Sequence, residues 1–206
     1  MESREQAPAP VRLIDLMGEA ARYWPRWRGP SGQGLVTGTN YTDTWSGADR
    51  VVWRAAVPGA GHSSPIVWAD TIFLTTSYDD GARMALLSYR RSTGQKLWET
   101  VIPSTGVEHV YWKNTRASAT PTTDGRLVYA SFGTHGLFAF DFSGSIVWRQ
   151  KIGDLANYHG SAGSPVLYRD RLFLFQDHSG TTTTRSFVAA MDAATGRVLW
   201  KRDRPA

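Results

Sequence analysis

Ala190-Met191-Asp192-Ala193-Ala194-Thr195-Gly196-Arg197-Val198-Leu199-Trp200 is the stretch on which the reading of this chain turns. An apolar run ends at Asp192, a Thr-Gly pair makes a tight bend, and a β-branched and apolar run carries a tryptophan four residues past the glycine. Glycine supplies the positive φ that such a bend demands, and the fixed offset decides which face of the next strand carries the indole.

The pattern recurs. Gly94 precedes Trp98 and Gly144 precedes Trp148 by the same four residues, and Val51-Val52-Trp53-Arg54 supplies a fourth copy of the tryptophan run. Trp53, Trp98, Trp148 and Trp200 lie 45, 50 and 52 residues apart, one propeller blade per interval. A second marker opens each unit: Ser63-Ser64-Pro65-Ile66-Val67, Ser118-Ala119-Thr120-Pro121-Thr122 and Ala162-Gly163-Ser164-Pro165-Val166. Proline cannot donate to a ladder and belongs at a strand's first residue or on an edge. The first full unit then divides into strands near 64–68, 71–77, 83–89 and 95–102, and no helix of ten residues fits between them.

The expected fold is therefore all-β: a partial β-propeller of about three four-stranded antiparallel blades plus one orphan strand. An N-terminal arm occupies 1–48, and the propeller part 49–206. Its blades span about 64–102, 119–151 and 163–202, and the outer strand of a further blade about 49–57. Leu13, Leu16, Met17, Ala20 and Ala21 have helical spacing, but the segment is read as a loose arm. Three blades fall short of the four to eight of a closed ring, so the chain is expected to be truncated and, by exposing sheet edges, to self-associate. Light scattering from a compact monomer would contradict that.

Composition removes several function classes. The 206 residues are 41% hydrophobic, 20% charged and 12% aromatic, with nine Trp and 20 Gly, as suits short strands and tight turns. A formal charge of +5 raises nucleic acid as a partner, yet the basic residues are scattered among acids with no polyanion track, so none is expected. No apolar stretch approaches the length of a membrane span. The absence of cysteine excludes disulfides, thiolate zinc sites and Cys-x-x-Cys-His haem attachment. His62, His109, His135, His159 and His178 lack metal-ligand spacing, and no metal site is expected.

The eleven residues from Ala190 to Trp200 resemble in full the A-x-D-x-x-T-G-x-x-x-W tryptophan-docking motif of pyrroloquinoline-quinone (PQQ) repeat propellers, in the quinoprotein alcohol dehydrogenase-like superfamily. Ala139-Phe140-Asp141-Phe142-Ser143-Gly144 to Trp148 keeps the landmarks with one residue fewer, and the first copy has Ser88 and Arg90 where Ala and Asp stand elsewhere. Upstream, Trp24 to Gly32 and Pro58 to Pro65 look like the opening of secreted bacterial PQQ-like proteins. The resemblance implies a blade-docking role for Trp53, Trp98, Trp148 and Trp200, with Gly94, Gly144, Gly196, Asp192 and Thr195 building the turns. Recurrence in every blade is what a common interface needs and a unique site does not.

Enzymes of this family hold PQQ with calcium and use an aspartate base. No residue here aligns with their calcium-binding Glu and Asn or with that Asp, so no catalytic residue is assigned and no cofactor is expected. The chain reads as a non-catalytic scaffold or binding module of the bacterial envelope, periplasmic or secreted, with a protein or a small polar ligand as partner. The alternatives are a fragment of a PQQ- and calcium-dependent dehydrogenase, and a propeller that binds polysaccharide or a small ligand. Residues just before each first strand should line the channel mouth: His62 and Ser63; Lys113, Asn114 and Ser118; Tyr158, His159 and Ser161. Lys offers charge, and Asn, His and Ser offer directed hydrogen bonds.

Overall fold

A computed structural model describes residues 18–36, 38–39, 41–103, 108–153, 157–178 and 185–204. Its twelve strands form three separate four-stranded antiparallel sheets. Blade I contains β1 (Ile66–Trp68), β2 (Thr71–Tyr78), β3 (Arg83–Arg90) and β4 (Lys96–Val101). β5 (Thr122–Thr123), β6 (Leu127–Ser131), β7 (Leu137–Asp141) and β8 (Ile146–Gln150) make blade II. Blade III is β9 (Val166–Tyr168), β10 (Arg171–Gln176), β11 (Phe187–Asp192) and β12 (Val198–Asp203). Strands follow one another in chain order across each sheet, the meander of a propeller blade.

Alternation within the strands builds the core between blades. Phe73, Met84 and Leu86 of blade I pack with Val128, Ala130, Phe138 and Phe140 of blade II. Tyr129, Leu137 and Ala139, on the other face of blade II, meet Leu172, Leu174 and Met191 of blade III. β6 and β7 of blade II are thus buried on both faces, which is why they read as continuous, largely apolar runs. Outermost strands are exposed, with patterns such as e-e-i-i-i-e in β4.

Each outermost pair carries the same irregularity. Ser88 pairs with Trp98 but Tyr89 with Lys96; Ala139 with Trp148 but Phe140 with Ile146; Ala190 with Trp200 but Met191 with Val198. One extra residue, Leu97, Val147 or Leu199, is accommodated just before each tryptophan. Such a bulge bends the strand and re-aims the following side chain, and here it turns three of the indoles at the same register.

The indoles then meet glycines of the following blade. A Cβ built on Gly94 would lie 2.4 Å from Trp53, on Gly144 2.8 Å from Trp98, and on Gly196 2.6 Å from Trp148. These glycines have φ of 73°, 93° and 72°, so the turn and the close approach both require the absence of a side chain. Each indole N–H also donates to a carbonyl of the same turn, from Trp53 to Arg91 at 2.8 Å, Trp98 to Phe142 at 2.9 Å and Trp148 to Ala193 at 3.0 Å. A large apolar ring is thereby half-buried with its polar atom satisfied.

Asp141 and Asp192 build two of these turns. The Asp192 carboxylate accepts from the Thr195 amide at 2.9 Å and hydroxyl at 2.7 Å, and Asp141 does the same for Ser143 at 2.9 and 2.6 Å. Those hydrogen bonds hold both carboxyls below their ordinary range. Blade I has Arg90 at this position, and Asp70, from the β1–β2 turn, takes over: its carboxylate accepts from the Ser92 amide at 2.8 Å and hydroxyl at 3.0 Å.

Ser88 shows the opposite of compensation. It occupies the place of Ala139 and Ala190, is fully buried, and its hydroxyl has no hydrogen-bond partner. A buried unpaired hydroxyl costs about 1–3 kcal/mol. Ser88→Ala should therefore raise unfolding stability by about 1 kcal/mol in a urea titration; a destabilised variant would mean that the hydroxyl is satisfied.

The strand expected over about 49–57 pairs with no strand among the described residues. Residues 51–58 are fixed instead by isolated bonds: the Trp53 indole, the Tyr89 hydroxyl donating to Ala56 O at 3.0 Å and the Thr76 hydroxyl donating to Pro58 O at 2.6 Å. The first strands are shorter than expected, β5 holding only two residues. Of the helical spacing over residues 13–21, the portion before Gly18 lies outside the described residues, and Glu19–Arg22 is a single 3-10 turn. The segment after it is anchored: Trp24 and Val67 exchange backbone bonds at 3.1 and 2.8 Å, and Pro25 O accepts from Thr123 N at 3.0 Å. This part of the N-terminal segment thus lies along the inner strands of blades I and II.

Candidate functional site

The loops that lead into the first strands meet side by side at one end of the blades. The Ser64 amide donates to Thr120 Oγ1 at 3.0 Å, and the Thr120 amide donates to Ser164 Oγ at 3.0 Å. Ser64, Thr120 and Ser164 each precede the strand-opening proline. The proline just before each strand has no N–H to donate, and the hydroxyls of Thr120 and Ser164 before it each serve the neighbouring blade. A hydroxyl precedes the proline in all three units, a sequence signal for the contact that two of them make.

The residues expected at a channel mouth fall on these same loops. The amides of His62 and Ser63 donate to Ala117 O at 3.0 and 3.1 Å, beside Ser118. Ser63 Oγ also exchanges bonds with the Thr75 backbone, at 3.1 and 3.4 Å. Asn114 donates to His159 O at 2.7 Å while its carbonyl oxygen accepts from the Thr115 amide at 2.9 Å and from Ser118 Oγ. The Lys113 ammonium lies 4.9 Å from the centre of the Trp112 ring. Tyr111 contacts Tyr158 at 5.5 Å and His159 at 5.4 Å between ring centres, so that these rings join the two loops. His62 and Ser63 thus border the 114–118 loop, and Asn114 borders the 158–161 loop.

At the junction stands Glu108, which no sequence pattern marked. One carboxylate oxygen accepts from the Ser161 amide at 3.0 Å, and the other from the Thr134 amide at 3.0 Å and the Thr134 hydroxyl at 3.4 Å. Burial pushes its carboxyl up from the ordinary value, and these hydrogen bonds, with the charge of Arg116, pull the other way. Arg116 is itself largely covered, donating to Glu108 O at 2.7 Å and to the Asp80 carboxylate at 2.7 Å. Asp80 lies in the turn between β2 and β3, and Thr134 in the turn between β6 and β7. One acid and one arginine therefore link two loops to two strand turns.

Three sheets stacked face to face through indole and glycine, with their entry loops gathered at one end, define an arc of a β-propeller. The family model described as outer membrane protein assembly factor BamB matches residues 28–206, and the chain belongs to this family of PQQ-like propellers. A europium-containing methanol dehydrogenase superposes with a TM-score of 0.54 at 16% identity, over 71% of this chain and 25% of that one. For a quinohemoprotein alcohol dehydrogenase from Pseudomonas putida HK5 the values are 0.50 and 16%, over 71% and 21%. BamB from Moraxella catarrhalis gives 0.42 and 17%, over 71% and 53%. The chain spans about a quarter or less of the length of the two dehydrogenases. No curated protein matches it.

The resemblance of the repeat motif to PQQ propellers raises the question of a calcium-held quinone. Calcium takes six to eight oxygen ligands, and no three His, Cys, Asp or Glu converge among the described residues. Both oxygens of Glu108 already accept backbone N–H groups. The described residues bring together no donor set of that kind.

Proposed function

We propose that the chain is a non-catalytic propeller module of the bacterial envelope, exported to the periplasm or beyond, that offers the loop end of its blades to a protein or a small polar ligand. The observation that carries this reading is the use made of the polar groups there. Glu108, Asn114, Ser118 and Ser63 hold loops in place, and a carboxylate that two amides occupy is poorly disposed to take a proton from a substrate. The match to a family described by an outer-membrane assembly factor supports the envelope and a protein partner.

The competing reading is a piece of a quinoprotein dehydrogenase, which the likeness to the methanol dehydrogenase favours. Adding PQQ with calcium, or with a lanthanide, to the folded chain separates the two. No quinone absorbance in the washed protein and no dye-linked alcohol oxidation are expected. A bound quinone band with turnover would overturn the proposal.

A further inference from the structure

Beside the 158–161 loop lies a cavity of about 230 Å³ lined by Asn157, Gly160–Gly163, Phe175, Gln176 and Asp177. We propose that it is a binding subsite for one neutral polyhydroxylated ring, a sugar unit of an oligosaccharide. This rests on the reading of the chain as a binding module and names the ligand class of its loop end.

Three features converge on that chemistry. Gln176 is 5% exposed, and its Oε1 has no hydrogen-bond partner. A buried unpaired amide oxygen is costly, and a ligand hydroxyl answers it in either orientation of the amide, because a hydroxyl both donates and accepts. Phe175, the neighbour of Gln176 on β10, is 46% exposed and gives the cavity an aromatic wall, against which the C–H face of a sugar ring packs. Size is the third feature. Pockets for drug-sized ligands run from about 300 Å³ upward, so this cavity suits a single ring.

The charged and amide groups around the cavity are already engaged with the protein. Asp177 stands in the lining and is ion-paired with Arg204, while Glu108 holds the Ser161 amide just behind it. Asn157 is committed as a brace, donating to Asp177 O at 2.9 Å and accepting from the His159 amide at 2.8 Å. A Cβ on Gly163 would come within 2.7 Å of Phe175 O, so the wall can approach the strand only because that residue is glycine. Trp112 and Tyr158, 77% and 58% exposed, lie on the adjoining loops, where further rings of the same oligosaccharide would stack.

Saturation-transfer NMR of the full chain with methyl glucoside, N-acetylglucosamine and cellobiose at millimolar concentration tests the assignment. Transfer to ring protons of at least one sugar is expected, reduced at least fivefold in both Gln176→Leu and Phe175→Ala. Gln176→Leu removes the unpaired oxygen at similar volume, so it should melt no lower than the parent, which separates lost binding from lost folding. Silence with all three sugars, or transfer unchanged in both variants, overturns the assignment. Sugar silence without alcohol oxidation in the PQQ assay would remove this subsite alone; oxidation would remove the binding-module reading itself.

Discussion

Replacing Trp148 with alanine should lower the unfolding free energy by about 3–5 kcal/mol, the range found when a large aromatic is cut from a packed interface. Its indole fills the space over Gly196 and bonds to Ala193 O, so truncation opens a cavity between blades II and III and leaves a carbonyl without its donor. Trp200→Ala is the internal control. This indole is 36% exposed, meets Phe173 of its own blade at 6.2 Å and lies on none of the described glycines, so the loss should be about 1 kcal/mol or less. Urea unfolding followed by circular dichroism reads both. Equal losses would show that lying against the next blade adds nothing to the worth of an indole.

Glu108→Ala should cost about 2 kcal/mol, because the amides of Ser161 and Thr134 lose their acceptor in a half-buried place. Hydrogen exchange at those two amides should speed up together although one belongs to each of two blades. Glu108→Gln keeps one acceptor oxygen and should restore protection at only one of the two amides. The carboxyl is raised in the folded state, so folding favours its protonated form. The stability linked to it is complete below the ordinary carboxylate value and is lost as pH rises through the raised one. Asp141 and Asp192 are held low and act oppositely, their contribution vanishing as pH falls through their depressed values. The Glu108→Gln variant should therefore flatten only the upper of the two pH responses. A Glu108→Ala protein with unchanged exchange at Ser161 and Thr134 would refute the bracing role.

The fold lay open in the sequence wherever its cause is local. A glycine four residues before a tryptophan sets turn and register at once, and strands expected at 71–77 and 83–89 appear as Thr71–Tyr78 and Arg83–Arg90. What escaped was made by contacts between distant residues. Trp68 meets the Gly125 turn of blade II, where a Cβ would lie 2.2 Å from its ring, but it sits outside the repeated motif and nothing adjacent to it announces the contact. Asp70 stands in for the aspartate missing at Arg90, twenty residues away, and Glu108 reaches 26 and 53 residues along the chain. At the loop end the sequence pointed to side chains with polar tips; which of them would be consumed by neighbouring amides depends on how the loops abut.

The joint between blades has a direction, since one blade contributes the ring and the next contributes the bare turn, and neither role can be played twice at one boundary. Such head-to-tail contacts repeat without symmetry about the boundary, so every unit offers the same leading surface and the same trailing surface. A duplicated stretch of some fifty residues, cut at any equivalent point, would find its neighbours already complementary, and a tandem array of this kind can lengthen or shorten by whole modules without redesigning a single seam.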